Sequence, residues 1–135
     1  MRIIGVRIDR RTVLVAGAVA FAFGLAANLA FALVDAIFDL SDTSNWVFAF
    51  ALLAWTGSAW AGAIAGRRQR SAPLTHGALA ALAGHTLNAV INVAVEAPRH
   101  TVDLGKLVVT LVLLAPIPTA IGGLAAYFTA SRAAR

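Results

Sequence analysis

Apolar residues in this chain gather into four long blocks, and almost every charge falls between the blocks or outside them. The blocks run from about Val13 to Phe38, Trp46 to Ala65, Leu74 to Val95 and Leu104 to Phe128. Each reaches or exceeds the ~20 residues that a helix needs to cross a hydrocarbon core ~30 Å thick. A lone span in lipid has to satisfy its own backbone hydrogen bonds, so each block is expected as an α-helix. The expected fold is therefore all-α: one polytopic membrane domain over residues 1–135 with four transmembrane helices. The first block far exceeds the ~7–15 apolar residues of a secretion signal, and it is expected to stay as a span. The first and fourth are long enough to tilt or to project past the bilayer.

The charges orient these spans. Arg2, Arg7, Arg10 and Arg11 precede the first, Arg67, Arg68 and Arg70 separate the second from the third, and Arg132 and Arg135 follow the fourth. With four crossings those segments share one side, and an excess of basic residues marks the cytoplasm, so both termini are expected inside. The opposite side carries Arg99 and Lys106 alongside Asp39, Asp42, Glu96 and Asp103. Trp46 stands at the outer mouth of the second span, where an amphipathic ring anchors well. The expected location is a plasma membrane of bacterial inner-membrane type.

An internal repeat adds to this picture. Gly17, Gly24 and Asn28 stand in the order G-A-x-A-x-x-x-G-x-x-x-N, and Gly77, Gly84 and Asn88 repeat it. One inserted residue later, Asp35 aligns with Glu96, Asp42 with Asp103, Ser58 with Thr119 and Gly62 with Gly123. The chain then reads as two tandem hairpins, about 13–66 and about 73–128, in parallel orientation about an axis along the membrane normal. At about 100° per residue, Gly17, Gly24, Asn28 and Asp35 share one helix face, and Gly77, Gly84 and Asn88 repeat that face. Glycines there allow two backbones to approach closely. The second helix carries its own small-residue strip, Ala54, Ser58, Gly62 and Gly66, which offers a place for a second copy of the chain or another membrane subunit.

Polar residues inside the spans are the candidate chemistry. Asn28 lies well within the first span, and His85, Asn88 and Asn92 within the third, with His85 ~16 Å from the start of its helix at ~1.5 Å per residue. With Glu96 the latter three cover a broad face. Such groups are costly against lipid and are expected to point into the bundle, where Asn28 and Asn88 can hydrogen-bond across the repeat axis. Either they line a polar pathway, with Asp35 and Glu96 at its outer end, or they act as interhelical glue worth about 0.6–2 kcal/mol per contact. Pro116 and Pro118 fall inside the fourth span, where each removes a backbone donor and is expected to kink the helix. His76 reads as lying beside the cytoplasmic loop and His100 in the outer one, so neither joins His85 in a metal cluster.

Composition narrows the function classes. The chain is 60% hydrophobic and 13% charged, too few charges for a water-soluble surface, where about a quarter is usual. Nine of the eleven basic residues lie on one membrane face, which assigns the net charge of +5 to topology and the lipid bilayer and not to nucleic acid. Cysteine is absent, which excludes disulfides, thiolate metal sites and thiol nucleophiles. No metal-ligand spacing, phosphate loop or nucleophile elbow occurs, so no catalytic residue, metal or cofactor is expected, and an enzyme is the least supported class. Two readings remain: a small transporter, channel or transport-complex subunit, or a structural module whose polar residues only hold helices together. Four helices enclose little volume, so either is expected to work as an oligomer or beside another membrane subunit.

Overall fold

A computed structural model describes residues 2–3, 6–39, 45–96, 105 and 108–133. Asp42, Arg99, His100, Asp103, Lys106 and Arg135 lie outside the described residues, as do the side chains of Arg2 and Glu96. The chain begins with a small antiparallel hairpin, β1 (Arg2–Ile3) and β2 (Val6–Arg7), with Arg2 opposite Arg7. Two-residue strands leave no readable period, so the hydrophobic pattern does not announce them.

Four helices make up the rest. The first, α1 (Arg10–Phe38), starts where Asp9 takes extended geometry and its side chain accepts a hydrogen bond from Arg11 N at 3.0 Å. That satisfies one of the donors a helix leaves open at its first turn. It stops at Asp39, which adopts the left-handed region at φ 48° and donates its N–H to Asp35 O at 2.8 Å. Aspartate tolerates that conformation better than most residues. Next, α2 (Asn45–Arg68) ends on Arg67 and Arg68, whose charges oppose the negative pole of the helix. Proline at the first position of α3 (Pro73–Glu96) removes a donor that a helix start does not use.

The fourth element is broken. A π-helical stretch, Val109–Leu114, passes through Ala115 into α4 (Pro116–Arg132). Pro116 and Pro118 have no N–H to offer to the turn before them, and their rings crowd its carbonyls. Widening to a π-turn is one way a helix absorbs this, and it places the irregularity just before the prolines.

Arg10–Phe38, Phe48–Arg68 and Pro73–Val95 are long and apolar enough to cross a membrane. Part of the fourth expected span falls outside the described residues. The helices form a ring in which α1 packs on α2 and α3, α4 packs on α2 and α3, and α2 meets α3 across the bundle. The interior is almost wholly small: Ala16, Ala61, Ala65, Ala80, Ala81 and Ala126 have no exposed surface. The large apolar side chains point outward instead, Leu14 at 69% and Trp60 at 60% exposure among them. A water-soluble bundle would invert that arrangement, because burying large apolar groups is what drives it to fold. An apolar coat around an alanine and glycine core suits lipid, where close backbone packing replaces the hydrophobic drive.

Glycine sets how closely the helices approach. A Cβ on Gly62 would lie 2.8 Å from the carbonyl carbon of Gly122, and one on Gly66 would lie 2.8 Å from the Cα of Ala126. On the other seam, a Cβ on Gly84 would lie 2.6 Å from the Ala20 Cβ. The strip Ser58, Gly62, Gly66 is therefore filled by the chain's own fourth helix. It is buried within one molecule and does not offer the face for a second copy that its spacing suggests. Gly17, Gly24, Gly77 and Gly84 are also buried in the interior.

Candidate functional site: a polar cavity inside the bundle

The glycine contacts fix how the helices run. Gly17 meets Ala80 and Gly24 meets Asn88, so α1 and α3 are parallel; Gly62 meets Gly122 and Gly66 meets Ala126, so α2 and α4 are parallel. Gly77 meets Ala126 while Ala81 meets Gly122, so α3 and α4 are antiparallel, and Arg10, Arg11, Arg67, Arg68, Arg70 and Arg132 gather at one end of the bundle.

That end is closed by a polar latch. Asp9 Oδ2 accepts from Thr12 Oγ1 at 2.7 Å and from Gln69 Nε2 at 2.8 Å, while its backbone N–H donates to His76 Nε2 at 3.0 Å. His76 is completely buried. Its Nε2 acts as an acceptor, so the ring proton sits on Nδ1, which donates to Ala72 O at 2.8 Å. The two hydrogen bonds from Thr12 and then Gln69 hold the Asp9 carboxyl at about 2, below its usual 3.8. His76 lies beside the loop between α2 and α3, and its bonds to Asp9 and Ala72 are a role that the sequence reading did not assign. The readable sign was Asp9 itself, an acid directly before a helical run with threonine three residues on.

In the opposite half, the same helices part around a half-open cavity of about 260 Å³, at which Asn92 is exposed. Ala20, Gly24 and Asn28 of α1, Ala51, Ala54, Trp55 and Ser58 of α2, and His85, Asn88, Ala89 and Asn92 of α3 line it, with Leu114 and Pro118 on the fourth side. Alanine at 51, 54 and 89 leaves the volume, and Trp55, Leu114 and Pro118 give it an apolar wall. Asn28, His85, Asn88 and Asn92 thus border one space, shared by Ser58, Gly24 and Pro118, which the sequence offers only as packing and kink residues. Pro118 is fully buried, whereas Pro116 faces outward. Asp35 is half-buried and does not line the cavity.

The asparagine pairing differs from the symmetric one expected. Asn28 Nδ2 donates to Asn92 Oδ1 at 3.1 Å, one helical turn beyond Asn88. Asn88 Nδ2 donates to Phe21 O at 3.1 Å and to Gly84 O at 3.2 Å. Both partners are carbonyls, which only accept, so the amide nitrogen must be the atom facing them. Asn88 Oδ1 is left buried without a hydrogen-bond partner. An unmet buried acceptor costs about 1–3 kcal/mol. Among the described residues, no three His, Cys, Asp or Glu side chains gather as a metal site.

No protein family, curated protein or solved structure matches the chain. Its helical, lipid-suited architecture is the class that the fold defines.

Proposed function

We propose that this chain is a small multi-pass plasma-membrane protein of the transporter or channel type, or the membrane subunit of a transport complex, that holds a small solute inside its bundle. One observation carries the reading: five polar side chains, Asn28, Ser58, His85, Asn88 and Asn92, border one half-open cavity of about 260 Å³ between helices packed mainly through alanine and glycine. Intramembrane polar groups are expensive and tend to mark substrate paths. In this reading the fourth element also crosses the bilayer, both termini are cytoplasmic, and the two hairpins are related by a rotation about the membrane normal. The π-helical break beside the cavity suits a helix that moves when the cavity opens. Because the Ser58, Gly62, Gly66 strip is filled from within, a second copy or another subunit would pack on an outward face.

A structural role is the second reading. It is favoured by the interhelical bonds from Asn28 to Asn92 and from Asn88 to Phe21 O, which would serve as glue in a protein with no ligand.

Single cysteines at positions 28 and 92, in a chain with no native thiol, separate the two. A hydrated solute site reacts with a membrane-impermeant maleimide added to intact membranes. Labelling of both positions by a lipid-soluble maleimide alone would overturn the solute-binding reading and leave the structural one.

A further inference from the structure

The latch that closes one end of the bundle also gathers charge. Gln69, whose amide donates to Asp9 at 2.8 Å, stands between Arg68 and Arg70, and Asp9 is followed by Arg10 and Arg11. One hydrogen bond between residues 60 positions apart therefore draws four arginines together, and all four are exposed. A topology signal asks only that basic residues lie on one side of a membrane. It does not ask that distant segments be bonded to one another there.

Charge at this point is out of balance. Asp9 is the one acid at this end among the described residues, since Asp35, Asp39 and Glu96 stand at the far ends of α1 and α3. Its Oδ1 accepts from Arg11 N and its Oδ2 from Thr12 and Gln69, so both oxygens are engaged within the latch. Four guanidiniums beside one carboxylate repel one another, and an anion placed among them relieves that repulsion. All four are arginine, whose planar fork meets phosphate oxygens in pairs where lysine offers a point charge.

The neighbours of the arginines say which phosphate fits. Leu14, one turn on from Arg10 and on the same face, is 69% exposed, and Leu74, in the first turn of α3 just beyond Arg70, is 52% exposed. The arginines thus sit where the apolar coat begins. A phospholipid presents a phosphate and then acyl chains in the same order, whereas a free phosphate would use the arginines and leave the leucines uncovered.

We infer that this latch surface, Arg10 and Arg11 with Arg68 and Arg70 beside Leu14 and Leu74, holds the headgroup phosphate of an anionic phospholipid.

Native mass spectrometry of the full chain in non-ionic detergent provides the test, with phosphatidylglycerol and phosphatidylcholine of identical acyl chains titrated in turn. Phosphatidylglycerol binds at least about fivefold more tightly, a comparison that needs no variant. Arg11→Gln with Arg70→Gln lowers its affinity about five- to twentyfold and leaves phosphatidylcholine unchanged. Arg132→Gln with Arg135→Gln removes as many charges from the segment that ends α4, across the ring from α1, and changes the affinity little. Gln69→Ala removes no charge but releases the α2–α3 turn from α1, and it also weakens phosphatidylglycerol binding. Equal affinity of the unaltered chain for the two lipids would overturn the anionic headgroup. Equal losses from the two arginine pairs would overturn the assembled site in favour of diffuse charge, and unchanged binding in Gln69→Ala would overturn the part played by the latch. Displacement of the lipid by glycerol phosphate at comparable concentration would make the occupant a free phosphate and overturn the lipid.

Discussion

Asn88 lies against Gly24: a methyl group on Gly24 would stand 2.8 Å from the amide carbon of Asn88. The glycine on α1 is the space in which the asparagine of α3 reaches the Phe21 carbonyl. Parallel helices thus meet through one residue with no side chain and one with a short polar side chain, at the edge of the cavity.

Gly24→Ala should therefore push the Asn88 amide out of its contact. The expected loss is about 1–3 kcal/mol from overpacking and the broken hydrogen bond. In an Asn88→Ala background the same change should cost far less, because the methyl group then has room. Unfolding titrations of the two single variants and the double variant measure that coupling. Additive losses would mean that the two residues do not share this space.

Two glycines offer a contrast, Gly62 on the α2–α4 seam and Gly123 where α4 faces α3. Gly62→Ala drives a Cβ into the Gly122 backbone, which cannot swing aside, and should cost about 1–3 kcal/mol. At Gly123 the nearest atom to an added Cβ is Leu74 O at 3.4 Å, an ordinary contact. Gly123→Ala should be neutral or stabilise by up to about 1 kcal/mol, since alanine is the better helix former. Thermal unfolding in one detergent ranks the pair, and equal losses would rule out the close α2–α4 approach.

Acid should weaken the latched end within a defined window. The Asp9 carboxyl is held at about 2, against 3.8 ordinarily, first by the Thr12 hydroxyl and then by Gln69. A carboxyl with a lowered folded value contributes stability above its unfolded value and loses it as pH falls through the folded one. The contribution should be complete above about pH 4 and vanish toward pH 2. Asp9→Asn should be less stable at neutral pH and lack this component of the acid transition, which unfolding midpoints measured from pH 6 down to pH 2 would reveal.

Reporter fusions decide the proposed orientation. Fusions after residues 42, 69 and 135 should read outside, inside and inside, following the arginines of the first, middle and last segments. An outside signal after Arg135 would remove the fourth crossing.

The helical, lipid-suited character of the chain was legible from residue order alone. Long apolar blocks with charges confined between them satisfy a bilayer in only a few ways, and helix length follows from bilayer thickness. Small residues at four-residue steps, such as Ser58, Gly62 and Gly66, declared close packing for the same reason, since spacing on a helix sets which residues share a face.

Which surface meets which was a matter for the tertiary structure. Small-residue spacing says that a backbone approaches but not whose, so a strip that suits a second copy was filled by α4 instead. Pairing depends on the axial stagger of α1 against α3, which no single helix encodes; that stagger put Asn92 opposite Asn28 and Asn88 against the Phe21 carbonyl. His76, Asp9 and Gln69 are far apart along the chain, and only the turn from α2 into α3, folded over the start of α1, brings them together. The cavity has the same origin. Its volume is what remains where alanines on three helices and a proline-broken fourth fail to fill the ring, a property of the bundle and of no segment within it.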